Sequence, residues 1–131
     1  MPSEYLLDTN IAIFLFQNHP AVRRQEHRKP LRYLPFITAS ELLFGAKRSG
    51  RREENLRAYN AFLDRLTILF PNRKTLELYS DLRLALWKIG RPIPENDLWQ
   101  AAIAIQQNAI LVTNDDHFAV VPGLLTEDWT V

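Results

Sequence analysis

Short apolar strand-like runs alternate with longer helical stretches along the whole chain, and this constrains the fold more than any other feature. Tyr5-Leu6-Leu7 is an apolar run that ends at Asp8-Thr9-Asn10, a polar triplet suited to capping a helix. Ile11 to Phe16 is apolar on every side, which predicts a buried helix. Leu34-Pro35-Phe36-Ile37 reads as a second strand, and Thr38-Ala39-Ser40-Glu41 as a capping box opening a helix that Gly45 or Gly50 ends. Leu56, Tyr59, Phe62, Leu63 and Leu66 recur at helical spacing, as do Leu76, Tyr79, Leu82, Leu86 and Ile89, with a short strand at Thr67-Ile68-Leu69-Phe70 between them. Gly90 and Pro92 stop the second of these helices. Pro94-Glu95-Asn96-Asp97 starts another, apolar nearly all round at residues 101–105. Ala109-Ile110-Leu111-Val112-Thr113 is the clearest strand, and Leu124-Leu125-Thr126 reads as the last.

This alternation predicts an α/β fold with a mainly parallel sheet, covered by helices on both faces because its strands are continuously apolar. In such a sheet the carboxyl ends of the strands share one edge, and open α/β sheets place their sites there. The 131 residues amount to a single domain spanning 1–131, with no internal repeat. The chain has no cysteine, which excludes a disulfide scaffold, a thiol nucleophile and a cysteine zinc site. The longest strictly apolar run, Ile11 to Phe16, is far short of a membrane span, and Met1 to Tyr5 does not resemble a secretory signal. A cytoplasmic protein with no membrane partner is the expectation.

Net charge is only +1, but it is unevenly spread. Residues 1–65 hold eleven Lys/Arg and seven Asp/Glu, and residues 66–131 hold five and eight. An excess of four positive charges in the first half points to a polyanion there. Arg23, Arg24, Arg28, Lys29, Arg32, Lys47, Arg48, Arg51 and Arg52 are candidates for neutralising RNA phosphates, against the alternative of a solvated helix face.

Four acids occupy similar topological positions. Asp8 follows the first strand, Glu41 follows the second by a helical turn, Asp97 opens an apolar helix, and Asp115 follows the clearest strand by two residues. Gathered in one cleft they would repel one another unless a cation lay between them, and oxygen-only ligands select Mg²⁺ or Mn²⁺. Such an ion suits phosphodiester hydrolysis, because it acidifies an attacking water and stabilises charge on the phosphorus oxygens. Each acid also has an ordinary structural reading: Asp8 as a helix cap, Glu41 as the third position of a capping box, Asp97 as a favourable charge in a first turn, Asp115 or Asp116 as a turn former. Spacing alone leaves the two readings open.

The residues resemble the PIN-domain family, and within it the VapC-type ribonuclease toxins of toxin–antitoxin pairs. The resemblance rests on four stretches in the family's order: Leu7-Asp8-Thr9-Asn10, Thr38 to Ala46, Ile93 to Ala102, and Leu111 to Phe118. It implies a PIN-like three-layer sandwich. It also implies an endoribonuclease that needs Mg²⁺ or Mn²⁺, leaves a 5′-phosphate and a 3′-hydroxyl, pairs with a small antitoxin protein and forms a homodimer. The family's metal-binding, catalytic acids carry over onto Asp8, Glu41, Asp97 and Asp115, and its small polar residue beside the metal onto Thr113. The Thr-x-Asp pattern favours Asp115 over Asp116.

Two other classes compete. A PIN-like module could hold RNA or protein without cutting; an intact acid set argues for the enzyme. A phosphoacceptor receiver domain also clusters aspartates, but it expects paired acids after the first strand and a lysine after the last, and no lysine follows Lys88. Trp99 reads as core packing rather than a base-stacking platform, and His117 as a solvated turn histidine rather than a general base. His19 and His27 have no plausible metal partner at their spacing.

Overall fold

The computed structural model describes residues 4–29 and 32–131; Met1–Ser3 and Pro30–Leu31 fall outside them. Five strands, β1 (Tyr5–Leu7), β2 (Arg32–Pro35), β3 (Thr67–Leu69), β4 (Ile110–Val112) and β5 (Thr126–Glu127), form one sheet in the order β3-β2-β1-β4-β5. Every pairing is parallel, so the expected mainly parallel sheet is wholly so. Six helices connect and cover it: α1 (Thr9–Phe16), α2 (Pro20–Arg28), α3 (Phe36–Lys47), α4 (Arg52–Asp64), α5 (Arg73–Lys88) and α6 (Glu95–Gln107), with a 3₁₀ turn at Asp116–Val120.

The period-two alternation of strands divides the core between the two faces. Leu7 and Val112, partners in register, pack with Ile11, Leu15, Val22, Leu34, Leu42, Phe62 and Trp129. Their neighbours Leu6 and Leu111 turn the other way, against Ile103, Ala104 and Phe118. A third cluster joins Leu82 and Leu86 of α5 to Leu98, Ala101 and Ala102 of α6. Small residues on α6 let it lie close to the sheet, and Ala101, Ala102 and Ala104 are fully buried. Asn108 ends α6 in a left-handed conformation, φ 54°, which sends the chain directly into β4.

The strand order decides where a site can form. From β1 the chain moves outward to β2 and β3, then crosses back to place β4 on the other side of β1. The connections leaving β1 and β4 therefore diverge, and a crevice opens at their carboxyl ends. Asp8 and Thr113 are the first residues past those two strands.

Three local expectations are corrected. Phe36 begins α3 rather than ending β2, and Pro35 stands at the N-cap with no side-chain bond. Thr38 is therefore not the cap of a capping box. It sits fully buried inside α3, its hydroxyl donating to the Leu7 carbonyl at 3.2 Å and accepting from the Thr9 hydroxyl at 3.3 Å. Tertiary hydrogen bonding overrides a local capping signal, and it ties α3 to the end of β1. Arg23, Arg24 and Arg28 lie on α2, which is capped by His19 Nδ1 with Pro20 in the first turn. The last strand is Thr126–Glu127, two residues later than Leu124 suggested.

Candidate active site

Asp8 is both a helix cap and a site carboxylate. Its Oδ1 accepts from the Thr9 amide at 2.7 Å, which starts α1, while its Oδ2 accepts from the Thr113 hydroxyl at 2.8 Å. Thr113 Oγ1 in turn accepts from the Asp115 amide at 3.0 Å. One threonine thus joins the end of β1 to the loop after β4, and both Asp8 and Thr113 are buried. The third residue of α6 is Asp97, where a carboxylate is favoured by the helix dipole. Glu41 lies on α3 and accepts from Asn96 Nδ2 at 3.2 Å, a bond that links α3 to the start of α6.

These side chains line one open cleft: Asp8, Thr9, Asn10, Glu41, Asn96, Asp97, Gln100, Asp115 and His117, with Pro94. All four acids singled out in the sequence border it. Asp116 does not; it lies in the neighbouring hollow with Arg91 and Pro92. His117 is drawn in by its own amide, which donates to Asp115 Oδ1 at 2.9 Å. Its Nδ1 then stands 3.3 Å from Asp97 Oδ2 and 3.2 Å from Asp115 Oδ1.

The electrostatics record the crowding. Burial pushes the Asp97 carboxyl above the usual carboxylate range; its hydrogen bond with His117 opposes this, and the charges of Asp8 and Asp115 add to the rise. Among the described residues no lysine or arginine is ion-paired with any of the four acids. The cleft is therefore an uncompensated concentration of negative charge.

Three cleft residues escaped the sequence reading. Gln100 is 2% exposed and its Oε1 has no hydrogen-bond partner. It was detectable: the one polar residue between Leu98 and Ile105 of α6, three positions after Asp97 and so on the same face. Asn96 had no distinguishing signal. His117 reads as solvated, and it is half exposed, but the tight turn after Thr113 aims its ring inward.

The basic residues fall in two groups. Lys47, Arg48, Arg51 and Arg52 are exposed around the end of α3 and the start of α4. Six residues of helix separate Lys47 from Glu41, roughly 9 Å of axial rise. Arg24 and Arg28 are exposed on α2, whereas Arg23 and Arg32 pair with Glu26 at 3.4 and 2.9 Å. Lys29 is engaged by Glu127 and lies over the rings of Tyr5 and Trp129. Trp99 stacks on Tyr79 at 4.1 Å and meets Phe36 edge-on, the packing role expected of it.

A family model of the PIN domain matches residues 5–124, the whole span from β1 to the approach to β5. The chain belongs to the PIN domain family. Its relatives place it in the VapC branch. It is 37% identical over 131 residues to Ribonuclease VapC1 of Haemophilus influenzae, covering 96% of this chain and 98% of that one. It is 33% identical over 130 residues to the tRNA(fMet)-specific endonuclease VapC of Shigella flexneri, covering 97% and 98%. The structure of DNA-bound VapBC from Salmonella typhimurium superposes with a TM-score of 0.90 at 30% identity, over 98% of this chain and 99% of that one. The three-layer PIN sandwich inferred from resemblance is thus the fold observed. No helix among the described residues is long and apolar enough to cross a membrane.

Proposed function

We propose that this protein is a metal-dependent endoribonuclease, the toxin of a toxin–antitoxin pair, acting in the cytoplasm on a cellular RNA. The observation that carries the reading is the convergence of Asp8, Glu41, Asp97 and Asp115 on one cleft whose described lining contains no lysine or arginine. The names of the VapC relatives support the same activity and an antitoxin partner.

The donor set fits a hard divalent ion. It is rich in carboxylate oxygens, and the orphaned Oε1 of Gln100 is a further buried oxygen in want of a partner. Asp8, Glu41, Asp97 and Asp115 would hold Mg²⁺ or Mn²⁺. When bound, such an ion supplies charge neutralisation at the scissile phosphate and a more acidic water. The chain's own residues do the positioning. Thr113 fixes the rotamer of Asp8 by occupying Oδ2, while the Thr9 amide holds Oδ1. Asn96 orients Glu41 across the cleft. The cleft is open at the sheet edge, so a phosphodiester in a single-stranded loop can enter it, and the exposed Lys47, Arg48, Arg51, Arg52, Arg24 and Arg28 are the candidates for neutralising phosphates elsewhere along the RNA.

Chelation tests this directly. RNA cleavage is expected to vanish in excess EDTA and to return with Mg²⁺ or Mn²⁺. Cleavage that continues undiminished in EDTA rules out the metal-dependent reading, and RNA bound but never cut under any metal supports a non-cutting module instead.

A homodimer belongs to the same proposal, through α5. Of the large aromatic residues Tyr59, Phe62 and Trp87 on α4 and α5, Tyr59 stacks on Phe16 and Phe62 is buried, so both serve the monomer's own core. Trp87, 74% exposed, is the one left on the surface. Leu76 and Leu84 are exposed with it, and all three lie within an arc of about 80° on the helix. Light scattering at micromolar concentration is expected to give twice the monomer mass, and Trp87→Glu to give the monomer. A monomeric wild type removes this part of the reading.

A further inference from the structure

We propose that His117 is itself a metal ligand, supplying an imidazole nitrogen beside Asp97 and Asp115, and that this chain consequently prefers a first-row transition ion to Mg²⁺. The inference rests on the metal-dependent reading above and sharpens it by naming a ligand outside the four acids.

The geometry carries it. One ligand atom from each of Asp97, Asp115 and His117 lies within 4.8 Å of the others. His117 Nδ1 is 3.3 Å from the Asp97 oxygen and 3.2 Å from the Asp115 oxygen. Adjacent ligands of an octahedral ion with bonds of about 2.1 Å stand about 3 Å apart, √2 times the bond length. His117 Nδ1 is thus near the spacing of an adjacent octahedral ligand from both carboxylates at once. A single ring N–H can satisfy one of those oxygens well, not two, whereas a cation in the mouth of the triangle satisfies all three atoms.

The chain fixes the ring for this purpose. The His117 amide is anchored on Asp115 Oδ1, the same carboxylate oxygen its ring faces, so the turn and the side chain form one unit. A second, independent feature points to a ligand at this place. Gln100, 2% exposed, lines the same cleft with its Oε1 unpartnered. Imidazole is a good ligand for first-row transition ions and a poor one for Mg²⁺, which takes oxygen and keeps its waters. Replacing one oxygen by nitrogen therefore tilts selectivity.

The test uses the full chain and two ions alone. Mn²⁺ is titrated in and followed by calorimetry, and the bound ion is examined by electron spin echo for ¹⁴N modulation; Mg²⁺ is titrated separately. Wild type is expected to bind Mn²⁺ with directly coordinated nitrogen. In His117→Ala the nitrogen signal disappears and Mn²⁺ affinity falls on the order of tenfold, while Mg²⁺ affinity barely changes. Mn²⁺ bound with no nitrogen coupling in wild type, or with coupling unchanged in His117→Ala, overturns the assignment and leaves the four-acid reading intact. No Mn²⁺ or Mg²⁺ binding at all overturns both.

Discussion

Asp97→Asn is expected to lower RNA cleavage by at least about 100-fold without unfolding the protein, because a ligand charge worth several kcal/mol in the transition state is removed. Asparagine has the same shape, can begin a helix, and can still accept from His117. The stability change has a determinate sign. The Asp97 carboxyl is raised, first by burial and further by Asp8 and Asp115, so its ionised form is disfavoured in the folded state. Stability that is fully present at low pH is then lost as the pH rises through the folded-state pKa. The variant escapes that loss. Metal-free Asp97→Asn should melt at or above the wild-type temperature at neutral pH, and the difference should close on acidification. Scanning calorimetry at a series of pH values, with a cleavage assay on the same samples, checks both halves. Full activity, or inactivity that merely tracks unfolding, would make Asp97 a structural residue.

Trp129→Ala should produce the largest loss of stability. The side chain is completely buried, packs with Leu7 and Val112, and meets Tyr5 at 5.6 Å between ring centroids. Its indole N–H donates to Glu127 at 2.9 Å, and Lys29 lies over the ring. Truncating a buried tryptophan costs about 3–5 kcal/mol, which in a domain of this size lowers Tm by about 10 °C or more. Urea unfolding measures it; a loss below about 1 kcal/mol would mean the site collapses around the gap. Leu7 and Val112 immediately precede Asp8 and Thr113, so the same substitution should loosen the cleft and reduce activity even where the protein is still folded.

The sheet was legible because its strands are short, continuously apolar and spaced by helices, and a parallel sheet buried on both faces needs such strands. The positions of Asp8 and Asp115 were legible for the same reason, since a residue just past a strand's carboxyl end can go nowhere but the common edge, whereas Glu41 and Asp97 reach it from α3 and α6. What local pattern could not supply was anything fixed by a distant partner. Thr38 carries a capping signature, yet its hydroxyl is held by β1, some thirty residues earlier in the chain. His117 follows a turn and reads as solvated, and only the position of Asp97 on a different element gives its ring a destination. Leu76 and Leu82 belong to one helical repeat, yet Leu76 is exposed and Leu82 buried, so only the packing separates them.

The bond between Asp8 and Thr113 spans 105 positions of sequence. During synthesis the first of these residues leaves the ribosome long before the second exists. Glu41 and then Asp97 are added during that interval, Asp115 only after it, and until β4 is made β1 has no β4 beside it. The cleft cannot be assembled piecemeal, because its two halves meet only across the centre of the sheet. A nascent chain of this protein therefore acquires the complete cleft only once β4 and the loop carrying Asp115 have been made.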